Sequence, residues 1–256
     1  MLHDSWNQRI TRAEDLADAE GATAPLLSFY ARLLRNQSEM YRLFGEHEPR
    51  GIERDVDLVR TAASPLLLTV ATDGPRPLAA EAQALLNAGP EVIGDLLVEH
   101  WRDRSDRDFF GKAILQPYAQ RLVEDGPETG ESDARRCPRC GGAPQLSIVD
   151  TNGGSSAEGA SRRLLCATCL TAWPFPRVIC ANCGGEDGRK LGYFRAASPD
   201  HVRIDKCDTC RYYIKSIDVG RLGLAVPLVD EVAASALDLW ARDRGYEKIE
   251  LNLLGV

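Results

Sequence analysis

All eight cysteines of the chain stand in four Cys-x-x-Cys pairs: Cys137/Cys140, Cys166/Cys169, Cys180/Cys183 and Cys207/Cys210. Two intervening residues let a tight knuckle aim both sulfurs at one ion about 2.3 Å away, so each pair supplies half of a tetrahedral thiolate site. The pairs also repeat. Cys137-Pro-Arg-Cys140-Gly-Gly returns 43 residues later as Cys180-Ala-Asn-Cys183-Gly-Gly, and Leu165-Cys166-Ala-Thr-Cys169 returns 41 residues later as Lys206-Cys207-Asp-Thr-Cys210. Two tandem copies of one unit are expected. The pairs of a copy are separated by 25 residues in the first and 23 in the second, room for a short β-hairpin that brings one knuckle opposite the other. Gly141 and Gly184 follow the first knuckle of each copy, where a residue without a Cβ takes positive φ and turns N–H groups toward the thiolates. Cys169 and Cys210 are followed by no glycine, so their knuckles are expected to close differently.

Disulfides are the competing reading of such thiols. The start, Met1-Leu-His-Asp-Ser-Trp-Asn-Gln-Arg, has no apolar segment of the kind that directs secretion. A reducing, cytoplasmic setting is therefore expected, in which regular doublets favour metal over disulfides or redox thiols. The expected ligands are Cys137, Cys140, Cys166 and Cys169 for one ion and Cys180, Cys183, Cys207 and Cys210 for a second. A cross-brace, in which the first and third pairs share an ion, is the alternative that the repeat disfavours. Four thiolates suit zinc and iron equally, so the cofactors expected are two metal ions of either kind. A structural zinc contributes on the order of 10–16 kcal/mol of apparent binding free energy in small peptides, so each copy is expected to unfold without metal.

The other residues set limits on partners. Of the 256 residues, 44% are apolar and 27% charged, and no run of about 18 apolar residues offers a membrane span. The net charge of −7 is unevenly spread: residues 1–134 carry 14 Lys/Arg against 24 Asp/Glu, and residues 135–218 carry 13 against 8. Each divalent ion held by four thiolates adds −2, so two loaded sites reduce the basic segment to about +1, a weak field for gripping phosphates.

The first 125 residues read as helical, an all-α bundle. Leu26, Leu27, Tyr30, Leu33, Leu34, Met40, Tyr41 and Phe44 follow steps of three and four, as one long amphipathic helix or two abutting ones. Further helices are expected from Glu53 to Val70, interrupted near Ser64 by Pro65; from Leu78 to Asn87; from Pro90 through Trp101; and from a Ser105 cap through Leu122, with Pro117 as an awkward point. Residues 126–134 read as a linker. Residues 135–177 and 178–219 are the two metal modules, with a hairpin tip near Asp150–Ser161 in the first. In the second, Lys190–Arg195 pairs with His201–Asp205, and Tyr212–Ile217 leaves the last knuckle as a strand. Residues 220–256 hold a helix of about four turns starting at Pro227, stopped by Gly245. The fold class expected is α+β: a helical bundle, two tandem rubredoxin-like or zinc-ribbon modules and a C-terminal helix.

The helical N-terminal half, Cys137-Pro-Arg-Cys140-Gly-Gly-Ala-Pro144, Leu165-Cys166-Ala-Thr-Cys169-Leu-Thr-Ala-Trp173, Arg177-Val-Ile-Cys180-Ala-Asn-Cys183-Gly, Cys207-Asp-Thr-Cys210-Arg-Tyr-Tyr-Ile-Lys215, Val229-Asp-Glu-Val-Ala and Gly245-Tyr246 together resemble the FdhE family of formate dehydrogenase accessory proteins. The resemblance covers most of the chain and is strongest over residues 135–250. It implies a cytoplasmic, non-enzymatic accessory protein with two rubredoxin-like metal modules. Its implied task is to help mature a respiratory, molybdenum-containing formate dehydrogenase by binding the catalytic subunit before export.

The residues bear on other functional classes as well. His3, His47, His100 and His201 are scattered without metal-ligand spacing, and His100 beside Trp101 reads as a helix-face residue. The chain carries no phosphate loop, no Gly-x-Ser-x-Gly and no Gly-x-Gly-x-x-Gly. Electron transfer through iron in a tetrathiolate site, acting on the immature enzyme, is the main alternative. Nucleic-acid binding is a weaker one, resting on Arg135, Arg136, Arg139, Arg162, Arg163 and Arg177 with Trp173, Tyr193 and Phe194 as stacking rings. Those arginines equally suit bracing of an anionic metal site or contact with an acidic partner patch, and Trp173 reads as core.

Overall fold

The structure, a computed structural model, describes residues 5–19, 21–105, 107–124, 133–152 and 161–255. It divides into two units, residues 1–127 and 128–254. Most of the linker read at 126–134, and most of the hairpin tip near 150–161, lie outside the described residues.

The first unit is all helix: α1 (Trp6–Asp18), α2 (Ala24–Gly45), α3 (Ile52–Ala62), α4 (Ser64–Asp73), α5 (Arg76–Ala88), α6 (Pro90–Asp103) and α7 (Phe109–Glu124). A reciprocal cap between Ser5 and Gln8 starts α1, satisfying two N–H groups that the first turn leaves free. The apolar steps after Leu26 form one continuous helix, α2, which buries Leu27, Tyr30, Leu33, Leu34, Met40 and Phe44. Pro65 separates α3 from α4 by falling in the first turn of α4, where its missing N–H has no helical partner to lose. Gly89 at φ +91° ends α5, and Pro90 opens α6.

The cap of α7 differs from the sequence expectation. Asp108, rather than Ser105, serves the first turn, its Oδ1 accepting from the Gly111 N–H at 3.0 Å. Pro117 stays inside α7. It cannot donate to the Ala113 carbonyl one turn back, and that carbonyl instead accepts from Gln37 Nε2 of α2 at 2.8 Å. A side chain of a neighbouring helix thus replaces the bond that proline removes. Phe44 and Trp101 meet the Tyr118 ring edge-on, at 5.4 and 5.8 Å. Tyr118 in turn donates to Asp55 Oδ2 at 2.8 Å, so the buried hydroxyl has a partner.

The second unit contains β1 (Pro144–Asp150), β2 (Ser161–Cys166), β3 (Ala172–Pro174), β4 (Leu191–Arg195), β5 (Val202–Cys207), β6 (Tyr212–Asp218), α8 (Pro227–Ala233), α9 (Ser235–Asp243) and β7 (Glu247–Lys248). Each copy builds three antiparallel strands, and the copies merge into one sheet of order β3-β2-β1-β6-β5-β4. The seam is parallel: β1 lies beside β6, from Leu146 opposite Lys215 to Val149 opposite Asp218. β7 pairs with β6 at Tyr212 and Tyr213, a stretch that β1 does not reach. The two copies therefore share a backbone ladder, and they also share a core. Leu146, Ile148, Leu165 and Leu170 of the first copy pack with Val202, Ile204, Tyr213 and Ile217 of the second, under Leu228, Leu237 and Ala241 of the C-terminal helices.

The expected single C-terminal helix is two. Its buried face shifts at Ala234: Leu228, Val229 and Val232 are buried before it and Leu237, Asp238 and Ala241 after it, while Ala236 and Leu239 are exposed. A straight helix in the phase of Leu228, Val232, Ala236 and Leu239 would point two of those residues into water. Gly245, at φ +71°, follows α9. Among the described residues no helix is long and apolar enough to cross a membrane.

Candidate metal centres

All four knuckles end in a residue of left-handed conformation. Gly141 and Gly184 adopt φ +72° and +74°, and each N–H returns to the carbonyl of the first cysteine of its pair, at 2.9 and 3.0 Å. Leu170 and Arg211 adopt the same left-handed conformation, φ +58° and +64°, and Arg211 N–H bonds the Cys207 carbonyl at 2.9 Å. The expectation of a different closure after Cys169 and Cys210 is thus wrong: a non-glycine residue bears the left-handed turn, at roughly 1–2 kcal/mol each. Within the knuckles, the N–H groups of Thr168 and Asn182 point at Cys166 Sγ and Cys180 Sγ, both at 3.4 Å.

The sulfurs gather as two sequential sets, Cys137/Cys140/Cys166/Cys169 and Cys180/Cys183/Cys207/Cys210, not as a cross-brace. In the first, Cys137 and Cys169 lie 3.5 Å apart and Cys140 and Cys166 3.4 Å. In the second, Cys180 and Cys210 lie 3.8 Å apart and Cys183 and Cys207 3.9 Å. Four sulfurs at 2.3 Å from a tetrahedral ion stand about 3.8 Å from one another. Both sets therefore have the donor chemistry and the spacing to hold a metal ion, and the same tetrahedron suits zinc and iron.

Burial separates them. Cys137, Cys166 and Cys169 are buried and Cys140 is half-buried, whereas in the second set Cys180 and Cys207 are buried, Cys210 is half-buried and Cys183 is exposed. Four adjacent thiols cannot all ionise without a cation among them. Hydrogen bonds from Cys140, Cys166 and Cys169 hold Cys137 well below the ordinary thiol range, while burial first, and then its neighbours, push Cys166 far above it. In the second set burial pushes Cys180 up to about 12. Cys207 falls to about 7; its burial acts upward, and N–H groups of Cys210 and Thr209 outweigh it. A divalent ion would displace the remaining protons.

A Rhizobium meliloti protein described as "Protein FdhE homolog" is 30% identical over 273 residues, spanning 95% of this chain and 87% of that protein. The chain belongs to the FdhE family. The "FdhE, C-terminal domain" family matches residues 178–254, from the second copy through the C-terminal helices. An FdhE homolog of Aquifex aeolicus is 43% identical over 120 residues, a stretch that takes in 46% of this chain and only 41% of the relative's length. The crystal structure of the FdhE protein from Pseudomonas aeruginosa superposes over 98% of this chain and 95% of that one, with a TM-score of 0.72 at 22% identity, which establishes the shared FdhE fold.

Around the sulfur sets of this FdhE chain the arginines divide. Arg135 and Arg162 serve the fold. Arg135 grips Asp133 through Nε at 2.8 Å and Nη2 at 2.7 Å and donates Nη1 to the Asn182 carbonyl at 2.8 Å. Arg162 donates to Ser147 Oγ at 3.0 Å and to the Pro176 and Ile179 carbonyls at 3.2 and 3.3 Å. Arg136 and Arg177 are exposed, and Arg139 and Arg163 are half-buried. Trp173 is core, donating Nε1 to the Ala134 carbonyl at 2.8 Å. Phe194 is stacked on Trp240 at 3.8 Å, and Tyr193 is exposed beneath the Arg203 guanidinium. Of the histidines, His100 pairs with Asp108 and His201 with Asp230, both at 2.8 Å, and His47 Nδ1 meets the Leu43 carbonyl at 2.9 Å; His3 lies outside the described residues.

Sequence reasoning missed a buried ionic cluster. Lys215 of β6 contacts Glu231 Oε1 at 2.8 Å and Asp238 Oδ2 at 2.5 Å; Lys248 of β7 meets Glu231; Tyr213 donates to Asp238 at 2.8 Å and Asn252 to Glu231 at 2.6 Å. Lys215, Glu231, Asp238 and Lys248 are essentially sealed from water. Burial alone would raise Glu231, but Lys215 and Lys248 outweigh it and hold the carboxyl down at about 2. A lysine at a core position of a strand, followed by acids seven apart on an apolar helix, was the available signal.

Proposed function

We propose that this protein is a cytoplasmic accessory factor that helps mature a respiratory molybdenum-containing formate dehydrogenase by binding its catalytic subunit. Both sulfur sets hold a metal ion, through Cys137, Cys140, Cys166 and Cys169 and through Cys180, Cys183, Cys207 and Cys210. FdhE membership across 95% of the chain carries this reading, because it is the role implied for that family. The sulfur spacing supports it, since the four sulfurs of each set lie within 4.8 Å of one another, close enough to surround a single ion.

In this reading the metal supplies cross-linking of strands that are too short to hold alone, and the chain does the rest. The knuckle N–H groups stabilise thiolate charge, Arg135 and Arg162 hold the approach to the second set, and the shared sheet fixes the two sets relative to each other. Electron transfer remains as a second reading because Cys183 is exposed, which would bring a redox metal to the surface.

The test purifies the full chain without oxygen or added metal, with metal analysis, a visible spectrum and recovery of the catalytic subunit by the tagged chain. The expected result is about two equivalents of metal and co-purification of that subunit. Zinc with no visible absorbance removes electron transfer; iron with strong thiolate-to-metal charge transfer supports it. A metal-free protein, or a catalytic subunit that never co-purifies and matures normally without this chain, would overturn the corresponding half of the proposal.

A further inference from the structure

We propose that Arg135 is a positioning residue for the second sulfur set, and that through it the two sets are coupled, so that filling one raises the affinity of the other. The inference rests on the reading that both sets hold metal.

Arg135 belongs by sequence to the first copy, two residues before Cys137, yet its side chain ends on the second. Its Nη1 donates at 2.8 Å to the Asn182 carbonyl, inside the Cys180-Ala-Asn-Cys183 knuckle. Its side chain also lies over the glycine that closes that knuckle, with Cδ 3.7 Å from where a Cβ on Gly184 would stand. The arm that delivers it is braced: Asp133 accepts from Nε and Nη2 along one edge of the guanidinium, and Trp173 Nε1 ties the Ala134 carbonyl to β3. Cys137 is the next fixed point along the chain. While the first set is filled, Cys137 anchors that arm and Arg135 is already in place, so the second knuckle loses little freedom on binding. While the first set is empty, the arm loses its anchor and the second knuckle its brace.

The repeat shows that this reach is specific to one copy. In the 43-residue register Arg135 corresponds to Val178, which is 69% exposed and too short to brace a neighbouring knuckle. In the 41-residue register Arg162 corresponds to Arg203. Arg162 holds the Pro176 and Ile179 carbonyls of the segment entering Cys180, whereas Arg203 pairs with Asp205 in its own strand at 2.7 Å. The first copy thus holds both sides of the approach to the second set. Although the contacts run one way, the free-energy coupling must run both ways by linkage.

The test titrates the metal-free full chain with cobalt(II) without oxygen, reading the thiolate-to-cobalt absorption. Arg135→Ala keeps all eight thiols and the shared sheet. It should weaken the second equivalent about tenfold, and should change cobalt affinity by less than about threefold in a Cys180→Ser/Cys183→Ser chain that retains the first set alone. A Cys137→Ser/Cys140→Ser chain should bind its one cobalt at least about tenfold more weakly than the wild type binds its second. Unchanged affinity for both equivalents in Arg135→Ala, or equal loss in the chain that retains the first set, would overturn the positioning role. Second-set affinity indifferent to loss of the first set's thiols would overturn the coupling. A wild-type chain that binds no cobalt would sink the metal reading itself, an outcome distinct from two independent, tight equivalents.

Discussion

The two sulfur sets are built from the same knuckles and differ in what surrounds them. In the first, Cys137, Cys166 and Cys169 are buried, and Leu165 and Leu170 beside the second knuckle belong to the common core. In the second, Cys183 is exposed, and bracing comes from arginines of the other copy. A local motif fixes local geometry: four closures share one left-handed turn whether the residue is glycine, leucine or arginine. Whether a site is sealed or open depends on its neighbours in space.

The largest expected effect breaks this comparison at the ligands. On the proposed metal reading, Cys166→Ser removes a donor within the core and should forfeit on the order of 10 kcal/mol of metal-linked stability in the second unit, seen as a large drop in thermal midpoint by circular dichroism. Cys183→Ser, at an exposed corner where water can take the vacated position, should cost far less. Equal drops would mean that the two sets are equivalent after all.

Next comes the buried cluster beneath β6, the strand that leaves Cys210. Lys215→Met removes one of the two lysines that Glu231 and Asp238 share in a sealed environment, leaving two carboxylates to Lys248 alone, and should cost about 3–5 kcal/mol in urea unfolding. Metal should also leave the second set faster in a chelator assay, with release from the first set unchanged. A loss below about 1 kcal/mol would show that water or Lys248 compensates.

The smallest effect compares glycines at the same place in the two copies. A Cβ on Gly142 would stand 2.9 Å from Cys166 Sγ and from Thr168 Oγ1, whereas on Gly185 it would stand 3.4 Å from Cys183 Sγ. Gly142→Ala must displace a core sulfur and should cost about 1–3 kcal/mol, as overpacking does, with a perturbed cobalt spectrum. Gly185→Ala should be nearly neutral, and a matching disturbance in both would remove the packing difference.

The sequence revealed much of this because its strongest signals are local. The two-residue spacing of thiols, the repeat registers, and the prolines at 65 and 90 each act within a turn of the residue that carries them. Pro117 was awkward in the sequence because its remedy, Gln37, lies 76 residues from the carbonyl it serves. The parallel β1–β6 seam was illegible for the same reason: each copy reads as a complete module, and nothing in either period says that one copy's first strand will adopt the other's third. The split at Ala234 escaped because Leu228, Val232, Ala236 and Leu239 also make a sound helical stripe, and only packing shows that the buried stripe changes phase.

The seam between the copies joins the first strand of one to the third strand of the other, so the same step could in principle be repeated by a further copy at either end of the sheet. Such head-to-tail addition has no symmetry that closes it, and unchecked it yields fibres instead of defined oligomers. The outer strands oppose it. β3 is three residues long and ends in Pro174, which has no N–H to offer, while β4 is five residues long and ends in Arg195. Both ends of the sheet are therefore poor templates, and a repeat whose geometry could polymerise stops at two.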